Sequence, residues 1–158
     1  MIEIQKSKTA DTRTCDFTKV SKETLLASSV QHIEDVRKGF DFLKDIMESA
    51  AVAHDFDKIR DIEGFHADFV TGFKNHSWLD FHRKINRHHL LEKDGVRDDV
   101  NLVDVLDMIV DCVMAGMGRS GSVYPLKIEP EVLKKAFDNT VELLKANVTV
   151  KEEKAGVV

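Results

Sequence analysis

Residues 25–58 read LLASSVQHIEDVRKGFDFLKDIMESAAVAHDFDK, a long apolar-periodic run that ends on a His-Asp doublet. Leu25, Leu26, Val30, Ile33, Val36, Phe40, Leu43, Ile46 and Met47 recur at intervals of three and four, the spacing of one face of an α-helix. With Ser21 as N-cap, the pattern predicts a helix over about 22–50, with Gly39 as a weak point. Ala53-His54-Asp55-Phe56-Asp57-Lys58 then places an imidazole and a carboxylate on adjacent residues. A divalent cation accepts such a mixed pair, and the carboxylate can bridge two ions. Lys58 stands about one helical turn past Asp55, within reach of an anion beside the cation. The doublet gains weight only if distant residues supply matching ligands.

Reading toward the C-terminus, Asp57-Lys58 opens an expected helix through about Phe73, with Ile59, Ile62, Phe65, Phe69 and Phe73 as its buried face. Ser77 caps an expected helix over about 78–91. There His82, Asn86 and His89 share one face at i, i+4 and i+7. His88 would be turned about 100° from His89, so the two are not expected to point the same way. Asp94-Gly95 marks a turn. A helix over about 101–118 follows, its core side being Leu102, Val105, Leu106, Ile109, Val113 and Met117. On it, Asp111 lies between Val110 and Cys112, and a carboxylate buried there needs a partner or a cation. Asp104 and Asp107 lie nearer the helix start, where the dipole favours negative side chains and solvent commonly covers them. Gly116 to Ser122 reads as a turn able to wrap an anion with Arg119. Pro130 starts a last helix to about Asn147, whose Val132, Leu133, Ala136, Phe137, Val141 and Leu144 should close the core.

Toward the N-terminus, residues 1–20 have no sustained period and read as an extended surface arm, with Asp11-Thr12-Arg13-Thr14 a solvated turn. Residues 149–158 read as a flexible tail. The expectation is an all-α, single-domain helical bundle of five to six helices over 21–148. A chain of 158 residues can bury a real core. A 42% hydrophobic and 32% charged composition is that of a soluble globular protein. The net charge of −5 argues against long nucleic acid as a partner, and the run Arg83-Lys84-x-x-Arg87 reads as a pocket border or solvated face. Cys15 and Cys112 form no disulfide framework and fit a cytoplasmic protein, and no apolar run is long enough to span a bilayer. Six of the seven histidines fall between His54 and His89, a density that random scatter rarely gives.

His32, then His54-Asp55, then a distant Asp111, all on helices, resembles the HD superfamily of metal-dependent phosphohydrolases over roughly residues 25–125. His54 to Lys58 is similar to the HDxxK form of the HD-GYP branch, which cleaves cyclic dinucleotides. His88-His89 followed by Asp94-Gly95 is similar to that branch's paired histidines and Asp-Gly, and Ile109 to Val113 with Arg119 to Pro125 is similar to its last ligand helix and loop. No Gly-Tyr-Pro follows Asp94-Gly95, and the spacings are shorter. The chain looks closer to a family of small bacterial and phage proteins with His-Asp-x-x-Lys and His-x3-Asn-x-His-His motifs, the second matched by His82, Asn86, His88 and His89.

The resemblance implies an HD-like bundle with a divalent metal at His32, His54, Asp55 and Asp111. If Asp55 bridges, it implies a second ion at His82 with His88 or His89. Mn, Fe, Mg, Zn, Co and Ni all suit such ligands. It further implies a phosphomonoesterase, nucleotidase or phosphodiesterase that acts on a nucleotide or other small phosphate ester through a metal-activated water. Asp55 and Lys58 would be catalytic, with Lys58, Arg83, Arg87 and Arg119 gripping phosphate. Two other functions fit the same residues: a catalytically idle metal- and nucleotide-binding sensor or sponge, and a helical interaction module. A homo-oligomer is left open.

Overall fold

The computed structural model describes residues 1–6 and 17–151. The order is β1 (Ile2–Gln5), α1 (Lys22–Ala53), α2 (Phe56–Arg60), α3 (Ile62–Phe69), α4 (Ser77–Ile85), a 3-10 turn (Glu92–Asp94), α5 (Leu102–Ser120), α6 (Pro130–Asn147) and β2 (Val148–Lys151). The class is all-α, with one two-stranded parallel sheet that pairs Ile2 with Val148 and Gln5 with Lys151. Asp11-Thr12-Arg13-Thr14, Cys15 and the tail beyond Lys151 lie outside the described residues. Residues 149–151, expected in a flexible tail, are part of β2. No helix among the described residues is long and apolar enough to cross a membrane.

The chain divides into two compact units. The first comprises Met1–Asp45 and Leu143–Val158. In it, the polar side of α1 is fastened to β1: Gln31 Nε2 donates to the Gln5 carbonyl at 2.7 Å and Lys38 Nζ to the Glu3 carbonyl at 3.0 Å. Ser28, on the same side of the helix, is buried.

The second unit comprises Ile46–Glu142. Its core is Leu90, Val100, Val105, Val132 and Ala136, with Val96, Leu102, Met108 and Ile128 packed around them. Leu90 and Val100 are fully buried. Fully burying one such side chain is worth about 1.5–3 kcal/mol. Polar groups join α6 to the start of α5. Thr140 Oγ1 accepts from the Leu102 backbone N–H at 2.9 Å, and Asn139 Nδ2 donates to the carbonyls of Asp98 and Val100. Asn101 and Asp104 form a capping box at the α5 N-terminus, which satisfies donors that the helix leaves orphaned.

Three expected elements differ. The helix over 57–73 is two helices, because Asp61 turns out of helical geometry and its carboxylate accepts from the Gly64 N–H and from Trp78 Nε1. The helix over 78–91 ends at Ile85, where Asn86 is extended and its side chain donates to the His82 carbonyl. Gly116 and Gly118 lie inside α5, and Gly121 is the left-handed cap that ends it. Gly116 is required by a close approach, since a Cβ there would stand 2.7 Å from the Ser122 carbonyl oxygen. The expected buried faces also need correction. Ile59, Ile62, Phe69, Leu106, Ile109, Met117, Leu133, Phe137 and Val141 are exposed, while Val103, Asp104 and Val105 of α5 and Val132, Ala136 and Thr140 of α6 are buried. Periodicity marks the apolar face of a helix without saying whether another element covers it.

Candidate metal centre

The second unit gathers histidines and aspartates from four segments: the α1–α2 junction, α4, the stretch after α4, and α5. Three overlapping groups have ligand atoms within 4.8 Å of one another: Asp55, His82, His88 and His89; His54, Asp55 and Asp111; and His54, His88 and Asp107. These groups could hold a metal ion.

Asp55 is the hinge of the cluster. It stands in the left-handed region at φ 51°, a conformation that costs a non-glycine residue of order 1–3 kcal/mol. The position is held by Asn86, whose Oδ1 accepts the Asp55 backbone N–H at 3.0 Å. The two carboxylate oxygens of Asp55 face different neighbours. Oδ2 lies 3.5 Å from His54 Nε2, which is itself 3.6 Å from Asp111 Oδ1. Oδ1 lies 3.5 Å from His82 Nε2 and 3.6 Å from His88 Nε2, and His89 Nε2 lies 3.0 Å from His82 Nε2. Ligand atoms about 2.0–2.2 Å from one cation stand roughly 3.0–3.5 Å apart. The observed separations match that spacing.

Two further observations fit a cation. Asp55 Oδ1 is buried and accepts no hydrogen bond, a costly state for a carboxylate unless something positive meets it. His54 and His82 also present their Nε2 atoms because their Nδ1 atoms are engaged elsewhere. His54 Nδ1 lies 2.8 Å from Asp107 Oδ1, and His82 Nδ1 lies 2.8 Å from Asp57 Oδ2. A carboxylate behind a histidine fixes the ring and raises its basicity toward a metal. Asn86 Nδ2 donates to Asp57 Oδ1 at 2.9 Å, so one asparagine positions both the bridging residue and the support of His82. Trp78 stacks on the His82 ring at 5.0 Å and 13°, and its own Nε1 is tied to Asp61.

Electrostatics keep these groups in ligand form. Burial pushes Asp55 upward, but Lys58, His54 and His82 outweigh it and hold the carboxyl below its ordinary range. Burial, then the neighbouring His88 and His82, pulls His89 down to about 3. Burial and His54 lower His88 as well, so both rings are neutral near pH 7 and keep a free lone pair. Lys58 Nζ pairs with Asp55 Oδ2.

The sequence-derived candidates separate into those that meet and those that do not. His54, Asp55, Asp111, His82, His88 and His89 come together. His88 and His89 enter the same group, contrary to the helical expectation, because α4 has already ended and neither is bound by a 100° step. His32 belongs to none of the three groups. It lies on α1, and one unbroken helix rising about 1.5 Å per residue cannot fold its own distant positions together. Arg83 and Arg87 are committed to carboxylates instead of standing free for phosphate. Arg83 Nε lies 3.0 Å from Asp94 Oδ1, a charge contact without hydrogen-bond alignment. Arg87 grips Asp104 through Nε at 2.7 Å and a second nitrogen at 2.8 Å, and reaches Asp99 as well. Asp104 is also the partner in the α5 capping box, so this fork anchors the segment that carries His88 and His89.

Arg119 is exposed and lines a cavity of about 450 Å³ with Asp111, Cys112 and Tyr124. A neighbouring cavity of about 380 Å³ shares Asp111, Cys112 and Leu126 with it and reaches His88, His89 and Lys127. Together they form a cleft along α5 with two cationic side chains. Sequence reasoning missed Asp57, Asp107 and Lys127. Only the position of Asp107 one turn before Asp111 offered a signal for it.

No protein-family model, no curated protein and no solved structure matches this chain.

Proposed function

We propose that this protein is a metal-dependent phosphohydrolase acting on a nucleotide or other small phosphate ester, in which Asp55 with His54 and Asp111, and Asp55 with His82, His88 and His89, would hold divalent ions. The observation that carries the reading is the division of the Asp55 carboxylate between two ligand sets, His54 with Asp111 and His82 with His88 and His89. Bound divalent ions supply an acidified water and a counter-charge for the phosphoryl group at neutral pH. Mn²⁺, Fe²⁺, Co²⁺, Ni²⁺, Mg²⁺ and Zn²⁺ are the candidates for this oxygen and nitrogen donor set.

The chain's own residues do the rest. Asp55, ionised and pinned by Asn86, keeps the two ligand sets in register. Asp107 and Asp57 orient His54 and His82. Lys58, paired with Asp55, would neutralise a phosphoryl oxygen. Arg119 and Lys127 give the cleft a positive lining for the rest of an anionic substrate.

The test is hydrolysis of nucleotides and a generic phosphate ester with each metal added, in wild type and Asp55→Ala. Wild type should turn over at least one substrate in a metal-dependent way. The variant should lose bound metal and activity together, by at least about a thousandfold in rate, the equivalent of about 4 kcal/mol of barrier. Full activity in Asp55→Ala would end the proposal.

A further inference from the structure

The apolar stripe of α1 follows a heptad. Leu26, Ile33, Phe40 and Met47 recur every seven residues, and Ser29, Val36, Leu43 and Ala50 stand three residues after each. This is the a and d pattern of a coiled coil, with Ser29 its one polar member. Ser29 Oγ donates to the Leu25 carbonyl on its own helix at 2.8 Å, so it brings no unsatisfied group to the seam. The seam is open: Leu26 is 65% exposed, Ile33 49% and Phe40 68%.

Within its unit, α1 is turned the other way. Gln31 and Lys38, which fasten it to β1, occupy the f positions, directly opposite a and d. A helix that turns polar side chains toward its sheet and, from Leu26 to Phe40, an apolar seam toward solvent reverses the usual amphipathic arrangement.

We infer that α1 pairs with the α1 of a second copy of this chain, as a parallel two-stranded coiled coil. A seam of period seven needs a partner helix of the same period, and among the described residues α1 itself is 32 residues long and carries one. Leu25, Leu26, Val30, Ile33, Val36 and Phe40 are 43% to 68% exposed, on the order of 100 Å² each and roughly 600 Å² per copy. A pair covering all of it would bury at most roughly 1,200 Å², the lower end of specific interfaces. Charge selects the orientation. The e positions are Val30, Arg37 and Lys44, and the g positions are Leu25, His32, Gly39 and Ile46. An antiparallel pair sets e against e and brings the cations together, whereas a parallel pair sets each cation against a g position that carries no basic Arg or Lys.

Sedimentation of the full chain should give twice its 17.9 kDa. Ile33→Glu combined with Phe40→Glu should sediment as a monomer with unchanged far-UV helicity and unchanged bound metal. Ile33→Cys, with Cys15 and Cys112 replaced by serine, should form a disulfide-linked dimer under mild oxidation. A monomeric wild type, a dimer that survives the double variant, or a double variant that loses its helicity would each overturn the pairing. A dimer lost in the double variant but never cross-linked at position 33 would overturn its parallel orientation.

Discussion

The two sides of Asp55 use the same kinds of ligand in opposite surroundings. On the Oδ1 side, the His82 and His88 side chains are 3% and 4% exposed, walled in by Trp78 and by neighbouring imidazoles. On the Oδ2 side, the His54 and Asp111 side chains are 27% and 35% exposed, and Asp111 lines the cleft. Burial fixes ring orientation and excludes water, which favours a retained ion. Access favours exchange and substrate contact. In the proposed centre, the buried half would hold the retained ion and the open half would admit a phosphate.

The largest break in that contrast should come from paired substitutions of one ligand on each side. His82→Ala removes a buried ligand and takes one of two partners from the buried Asp57 carboxylate. It should abolish activity, reduce the metal that survives dialysis, and destabilise the fold by about 1–3 kcal/mol. Asp111→Asn should leave the retained ion and the melting temperature unchanged. It should raise the metal concentration needed for half-maximal activity by at least the roughly 10–100-fold seen when an outer partner is lost. Elemental analysis after dialysis, thermal melts and metal titrations of activity separate the two; equal retention of metal in both variants would erase the distinction.

A smaller effect sharpens the same comparison at Asp107, whose oxygens lie 2.8 Å from His54 Nδ1 and 3.6 Å from His88 Nδ1. Asp107→Asn keeps the shape but removes the charge behind one imidazole of each half. Affinity should fall on both sides by about tenfold, with maximal activity at saturating metal largely kept. A loss confined to one side would show that this carboxylate serves that half alone.

The first and last helices were legible from apolar spacing: the last runs from Pro130 to Asn147 as read, and the first from Lys22 to Ala53, three residues past its expected end. Residue type made His54, Asp55, His82, His88, His89 and Asp111 visible as candidates, because imidazoles clustered this densely are rare by chance. What the sequence concealed depends on the third dimension. Apart from the place of Asp107 one turn before Asp111, nothing local marks Asp57, Asp104 and Asp107 as anything but solvated helix carboxylates. Their roles come from partners 17 to 53 positions away, Arg87, His82 and His54. The end of α4 was hidden because Asn86 stops it through side-chain hydrogen bonds, without a proline or glycine. His32, named by the order of a motif, belongs to none of the three ligand groups.

Anomalous diffraction from crystals of the wild-type protein grown with Mn²⁺ would locate the ions around Asp55. Two peaks should flank the Asp55 carboxylate, one among His82, His88 and His89 and one between His54 and Asp111, with the first more strongly occupied. No peak within bonding distance of Asp55 would contradict the proposed centre.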